Sequence, residues 1–350
     1  MGIIKLPEQS IKFFQENCHE IFNSGELAEG KWNEKVAEWI CKYTKSPNSL
    51  AFNSNGAGLF TILRLLKQYR SKRSVFLQSN TMYGVKTIAI SSGLKLAGYV
   101  NCSLDYLMPT YQQVLDFVEN LEKPEESVFL LTHIGGWINP DVERISKLCT
   151  EKGISLVEDC AHSLGSLLND KHSGLFGVAG VYSLYATKTI PVGEGGILVT
   201  KDKELHEMAK RFVMYDRFDQ KIVVGINLRM SEINALLTFA VLKETEFIIN
   251  NKYSVAKSYI DLCKKNKIDY IEPEGNGQRS NLYKFILQCR DKDPLIEFVN
   301  IKSKTSPVYD YSLGEDLEEI TKRHVCLPIW FNQSYEVTEK VLEELRNTVL

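Results

Sequence analysis

The chain has 350 residues, 44% hydrophobic and 25% charged, with 42 Lys and Arg against 44 Asp and Glu and a net charge of −2. That length exceeds what a single small core needs, so a large domain with a smaller companion is expected. The balanced charge gives no electrostatic argument for nucleic acid or an anionic membrane as partner, and no run approaches the roughly 18 apolar residues of a membrane span. The opening "MGIIKLPEQSIKFFQENCHE" lacks the apolar core of a secretory signal, and Leu6 stands where a myristoylation signal takes Ser or Thr. The eight cysteines form no C-x-x-C pair and the six histidines no ligand spacing. Reduced thiols, no metal site and a cytoplasmic location are the expectation.

In chain order the pattern alternates. Residues 26–45 have helical apolar spacing, "SLAFNSN" reads as a short strand with a polar turn, and "GAGLFTILRLLKQYR" resumes a helix. "SVFLQSN" is a strand, "MYGVKTIAISSG" a helix closed by Gly93, "KLAGYVNC" a strand and "YQQVLDFVENL" a helix. "SVFLLTHIGG" is a strand, "DVERISKLCTEKG" a helix ending at Gly153, and "ISLVEDCAH" a strand. "VYSLYAT" and the stretch after "GEGG" add two more strands. Short apolar strands between helices predict an α/β fold with a mostly parallel, buried central sheet. Past residue 205 the pattern changes: residues 230–265 read as one long helical spine. A smaller C-terminal α+β part follows, with strand "NLYKFILQC", helix "DPLIEFVN" and a closing helix from Tyr335. The expected division is 1–240 and 241–350.

In open α/β sheets, ligands gather at the carboxyl ends of the strands. That edge collects Asn55-Gly56, Asn80-Thr81, His133, Asp159, His162, Ser183 and Lys188. A lysine amine, a carboxylate and a glycine turn opening a helix together fit pyridoxal phosphate. That cofactor takes the amine covalently, sets the carboxylate on its ring nitrogen and needs an anion cradle at a helix N-terminus. Each piece has a plainer reading. Lys188 would be solvated, Asp159 a turn cap, "SNGAG" a generic strand–helix start, and His133 and His162 packed residues.

The run "ISLVEDCAHSLGS…GLFGVAGVYSLYATKTIPVGEGGILVTKDKEL" resembles the DegT/DnrJ/EryC1/StrS sugar aminotransferases, enzymes of the type I pyridoxal phosphate fold. Its elements are Glu158-Asp159-Cys160-Ala161-His162, Gly174 to Gly177, Tyr182-Ser183-Leu184, Thr187-Lys188 and Gly193-Glu194-Gly195-Gly196. "NSGELAEGKWNEKVAEW", "HIGGWINPDVERISKLC", "GINLRMSEINALL" and "VCLPIWFNQSYEVTEKVLEEL" are similar to further segments of that family. The likeness is weakest between residues 265 and 320.

The resemblance implies that Lys188 carries the covalent link and moves the proton between the substrate α-carbon and C4′. It implies that Asp159 pairs with the pyridine nitrogen and His162 lies beside the ring near its phenolic oxygen. Ser183 and the amides of Gly56 and Ala57 would hold the phosphate. Asn227 would reach the phosphate of a partner subunit, making a homodimer the working unit. Arg229 would meet a substrate anion or, equally, form a salt bridge. The aromatic position after Thr81 is Met82, with Tyr83 next, and the spacing to Gly93 favours Met82 as the residue on the ring face. Ala57 replaces a threonine, and "MYDRFDQ" lacks a glycine of the family's pattern. The implied reaction is amino transfer, from glutamate, to a keto group of a nucleotide-linked deoxy sugar. The alternatives are another cyclic ketone such as an inosose, or a non-catalytic fold relative.

Overall fold

The computed structural model describes residues 4–215, 224–290, 298–309, 313–314, 320 and 322–348. Two helices, α1 (Glu8–Ser24) and α2 (Lys31–Thr44), precede strand β1 (Asn48–Phe52). Then come α3 (Asn55–Tyr69), β2 (Ser74–Gln78), α4 (Tyr83–Ser91), β3 (Lys95–Val100), α5 (Tyr111–Glu119), β4 (Ser127–Thr132), α6 (Val142–Glu151) and β5 (Ser155–Cys160). Two short strands, β6 (Leu167–Leu168) and β7 (Lys171–His172), lead to β8 (Ala179–Ser183), β9 (Gly196–Thr200) and α7 (Lys203–Met214). The seven-stranded sheet has the order β1-β9-β8-β5-β4-β2-β3. Only β9 runs against the rest, pairing antiparallel with both β1 and β8 while every other neighbouring pair is parallel. The expected mostly parallel sheet is therefore present, and the expected strands form it.

Both faces of the sheet are covered, and the side-chain alternation of a strand divides each one between two cores. Val128 and Leu130 of β4 join Val75, Leu77 and Leu198 under α3, α4 and α7. Phe129 and Leu131 join Phe76 and Ile145 under α5 and α6, where the rings of Phe76 and Phe129 stack 4.6 Å apart. A third cluster packs α1, α2 and the next helix of the chain, α8 (Glu232–Leu242), on Tyr182, Ile197 and Val199. Helix α1 has no counterpart among the sequence expectations.

Residues 230–265 form two helices rather than one spine: α8 ends at Leu242 and α9 (Thr245–Asn266) begins after a turn at Lys243 and Glu244. The Thr245 hydroxyl donates to the Leu242 carbonyl at 2.7 Å, a local bond that competes with the helix ladder. Residue 240 falls within the last turn of α8. Beyond α9, β10 (Glu274–Gly275) and β11 (Gln278–Arg279) extend the β6–β7 ribbon, with β11 antiparallel to β6. Strand β12 (Phe285–Gln288) pairs antiparallel with β13 (His324–Leu327), and α10 (Tyr335–Thr348) closes the chain. Ala256, Tyr259, Phe285, Leu327 and Leu345 make a separate apolar core there. The helix expected over 293–300 lies largely outside the described residues.

The "MSE" stretch builds structure. Ser231 caps α8, its hydroxyl accepting from the Asn234 amide at 3.4 Å. The buried Glu232 carboxylate sits at the N-terminus of α2 and accepts from the amides of Trp32 (2.5 Å) and Asn33 (3.2 Å), and from Asn33 Nδ2 (2.8 Å). An anion there also meets the positive end of the helix dipole. Glu232→Ala strands those donors, so we expect a loss of about 2 kcal/mol or more, read as a lower urea midpoint at unchanged slope.

Candidate active site

Short loops at the carboxyl edge of the sheet carry the side chains. Helix α3 starts there because Ser54 caps it, accepting from the Ala57 amide at 3.1 Å. Gly58 lets the helix approach the sheet, since a Cβ would lie 2.7 Å from Val181 Cγ1. The amides of Asn55 and Gly56 find no acceptor among the described residues, leaving an anion-seeking helix end. Ala57 departs from its implied role, because its N–H is already given to Ser54.

Asp159 is 2% exposed near the end of β5. Its Oδ1 accepts from the Ala161 amide at 3.1 Å and from Asn55 Nδ2 at 3.2 Å, and Asn55 also donates to the Val181 carbonyl at 2.8 Å. Oδ2 has Thr132 Oγ1 at 3.5 Å. Burial raises the carboxyl above its ordinary range, against the pull of the Ala161 N–H, Lys188, Asn55 and His133. The site therefore holds a carboxylate with one oxygen weakly engaged.

Lys188 lies in the turn between β8 and β9. Its own N–H donates to the Tyr185 carbonyl at 2.8 Å, and the turn is pinned by Ala186 N to Gly193 O and Val192 N to Leu184 O, each 2.9 Å. Gly193 has φ +97°, a left-handed conformation that glycine adopts without strain. The half-buried Lys188 presents its Nζ to the Tyr283 ring, 4.8 Å from the centroid. Burial lowers the amine to about 8, and the Asp159 carboxylate opposes that fall. Near that pH half of the amine is neutral and nucleophilic.

His162 is buried and stacks on Tyr283, 4.3 Å between centroids, with Tyr309 at 5.9 Å. Its Nδ1 accepts from the Gly135 amide at 3.3 Å, which puts the proton of the neutral ring on Nε2. Burial, then the charges of Lys188 and Lys284, holds its pKa well below the usual histidine range. Ser183 is buried, and its Oγ accepts from the Tyr185 amide at 3.3 Å. Met82 and Tyr83 stand at the start of α4, 47% and 53% exposed.

Asn227 is exposed in the stretch before α8, its Oδ1 accepting from the Arg229 amide at 3.4 Å. Arg229 takes the salt-bridge alternative: Nε lies 2.5 Å from Glu29 Oε1, and Nη1 donates to the Val213 carbonyl at 2.8 Å. The segment "MYDRFDQ", which lacks the glycine of the family's pattern, lies mostly outside the described residues. His133 faces away from the site. Its Nε2 donates to Glu158 Oε2 at 2.8 Å, while Nδ1 accepts from the Asn139 amide. Glu158 also accepts from the amides of Gly174, Phe176 and Gly177, each at 2.7 Å. With Cys160 these two residues form a group whose ligand atoms lie within 4.8 Å of one another, but the carboxylate is already filled by protein donors. All eight cysteines are free thiols, and among the described residues no helix is long and apolar enough to cross a membrane.

Asn55, Thr132 and Tyr283 are the site residues that the sequence did not assign a role. Asn55 stood at a strand end and so was visible as an edge residue. Tyr283 arrives from the C-terminal part, in the span where the family likeness is weakest, and no local pattern marks it.

A partly neutral amine, a buried carboxylate, a neutral imidazole and open amides at a helix end make an amine-handling site that suits an anionic cofactor. The donor set fits pyridoxal phosphate: Asp159 has an oxygen to spare, and the end of α3 has two amides to give. Within that class the chain belongs to the DegT/DnrJ/EryC1/StrS aminotransferase family, which it matches over residues 8–346, and it is an aminotransferase. The family depends on pyridoxal phosphate. The chain is 25% identical to the UDP-4-amino-4,6-dideoxy-N-acetyl-beta-L-altrosamine transaminase of Helicobacter pylori, over 94% of this chain and 93% of that protein. It is 30% identical to the GDP-perosamine synthase of Escherichia coli O157:H7, over 51% of this chain and 49% of that one. Among solved structures, a Helicobacter pylori aminotransferase involved in the biosynthesis of pseudoaminic acid superposes with a TM-score of 0.85 at 22% identity, covering 99% of this chain and 97% of its own. DesI in the presence of its TDP-sugar product gives 0.86 at 18% identity, covering 99% and 91%. At those identities the two structures speak for the fold, which is that of aminotransferases of this type.

Because Asp159 favours the charged form of Lys188, Asp159→Asn lowers the amine below about 8. The pH midpoint for acylation of Lys188 in the cofactor-free protein should move down, read by mass spectrometry of the labelled peptide.

Proposed function

We propose that this aminotransferase binds pyridoxal phosphate through Lys188 and moves an amino group, from glutamate, to a keto group of a nucleotide-linked deoxy sugar. The observation that carries the reading is the half-buried amine of Lys188, lowered to about 8, beside the buried carboxylate of Asp159. The relatives named above, a UDP-sugar transaminase and a GDP-sugar synthase, support the substrate class. When bound, the cofactor supplies an electron-withdrawing ring that acidifies the carbon next to the transferred nitrogen.

The protein's own groups do the rest. Lys188 holds the cofactor covalently and, once released, carries a proton between the substrate α-carbon and C4′. Asp159 is the partner of the ring nitrogen, and its negative charge keeps a proton there. His162, neutral with its proton on Nε2, donates towards the phenolic oxygen. Ser183 and the open end of α3, with Gly56 at its first turn, take the phosphate. Met82, rather than Tyr83, covers the ring face.

We assign Asn227 to the phosphate held by a partner subunit, which makes a homodimer the working unit and fits an exposed asparagine just before α8. Residues 1–240 would form the cofactor-binding domain and 241–350 the smaller one. A cytoplasmic location agrees with eight free thiols.

The test is Lys188→Ala. Turnover with glutamate and a nucleotide-linked keto sugar should fall by about a thousandfold or more, and borohydride should no longer fix cofactor to the chain. In the unsubstituted protein the same treatment should label one peptide, that of Lys188. Full turnover by the variant, or labelling elsewhere, overturns the reading. Running inosose beside the nucleotide sugar decides between the ketone classes.

A further inference from the structure

Tyr283 reaches the site from the segment before β12, and the backbone that delivers it is held against its own preference. Leu282 has φ +54°, a left-handed conformation that a bulky side chain adopts only under strain. Such strain persists where the surroundings over-determine it. Here the buried Asn281 donates from Nδ2 to the carbonyls of His162 (2.9 Å) and Leu164 (2.8 Å), and its Oδ1 accepts from the Tyr283 amide at 2.9 Å. The Leu282 amide donates to Ser280 Oγ at 3.0 Å, and the Lys284 amide to the Gly135 carbonyl at 2.9 Å. Gly136 leaves room for the turn, since a Cβ there would lie 2.8 Å from the Tyr283 nitrogen.

What this construction fixes is the place of the Tyr283 ring. Its centroid lies 4.3 Å from that of His162 and 4.8 Å from Lys188 Nζ. Lys284 Nζ is farther from it, at 5.6 Å, and donates to the Ser306 carbonyl at 3.1 Å. His162 is neutral and brings no rival charge to the ring. The negative face of an aromatic ring attracts an ammonium far more than a neutral amine, and more strongly where water is scarce. Lys188 needs both forms. Neutral, it accepts the proton of the substrate α-carbon, whose bonding pair stays behind on the substrate. As an ammonium it hands that same proton to C4′. Between the two events a side chain freed from the cofactor has many rotamers, most of which would carry the proton away from the site. A fixed ring face gives the ammonium one place to wait.

We infer that Tyr283 is a further catalytic residue, whose ring face holds the ammonium of the released Lys188 while the proton passes from one carbon to the other. The inference rests on the role of Lys188 given above. It also gives the strained turn at Leu282 a function, which is to aim that ring.

The experiment uses the full chain, as the unsubstituted protein and as Tyr283→Phe, Tyr283→Leu and Tyr283→Met. The first readout is the pH midpoint for acylation of Lys188 in the cofactor-free protein, taken from the labelled peptide. Losing the ring removes a contact that only the ammonium makes. The midpoint should therefore fall by about half a pH unit or more in the Leu and Met variants and move by less than about 0.2 in Tyr283→Phe, which keeps the ring. The second readout is the single-turnover reaction of glutamate with the cofactor-loaded protein. It should slow about tenfold in Tyr283→Leu, with a larger isotope effect from α-deuterated glutamate as the proton's passage becomes limiting. A midpoint unmoved in the Leu and Met variants, or lowered as far in Tyr283→Phe, overturns the inference. A lower urea midpoint with acylation unmoved also overturns it and leaves Tyr283 a packing residue. Borohydride labelling at a lysine other than Lys188 would instead sink the reading of Lys188 as the cofactor's partner, while the acylation midpoints still report on the ring.

Discussion

The active site depends on the electrostatic coupling of a half-buried lysine amine with a buried aspartate carboxyl. Alone, burial would neutralise each: it pushes the Asp159 carboxyl up and the Lys188 amine down. Each partner's charge opposes that shift in the other, and the Ala161 and Asn55 donors anchor the carboxylate. The result is an amine lowered to about 8, which suits a lysine that must be a nucleophile and a proton carrier in turn. Much of the sheet edge serves this pair. The α3 cap, the pinned turn at 185–193 and the stacked His162 and Tyr283 all limit what else reaches it.

The neighbouring carboxylate shows how much the strand period decides. Glu158 and Asp159 are adjacent, chemically alike and both buried, yet β5 turns them to opposite faces. Glu158 meets His133 and three amides, which satisfies it and fastens the 174–177 loop to the sheet. Asp159 meets the cavity side, where one of its oxygens has a single long contact. A fully bonded carboxylate braces a fold, whereas one with capacity left can receive a ligand. The same division separates the two histidines: His133 is part of the brace, and His162 is in the site.

The C-terminal part shapes the site as well as flanking it. Tyr283 lies just before β12 and reaches both Lys188 and His162. The buried Asn281 donates to the carbonyls of His162 and Leu164 at 2.9 and 2.8 Å, stitching that segment to the loop after β5. Lys284 then adds positive charge beside the Tyr283 ring. Three of these four consecutive positions, Asn281, Tyr283 and Lys284, thus bind the two halves of the chain together and set the local charge, in a span where neither periodicity nor family likeness gave warning.

From the letters alone came the α/β class, the order of the seven sheet strands and of helices α2 to α6, and the choice of Asp159, His162, Ser183 and Lys188 as candidate site residues. Those features are written locally, in apolar runs of strand length, in glycine and serine at turns, and in a motif compact enough to be recognised. What the letters could not decide depended on contacts between distant residues. The reversed direction of β9, the break between α8 and α9, the Glu29 partner of Arg229 and the engagement of the Ala57 amide by Ser54 are of that kind. So is the approach of Tyr283 to a lysine 95 positions earlier (283 − 188). A pattern records what each segment prefers to become. Which side chains then share a dry cavity, and which charges find partners there, is settled only when the segments pack.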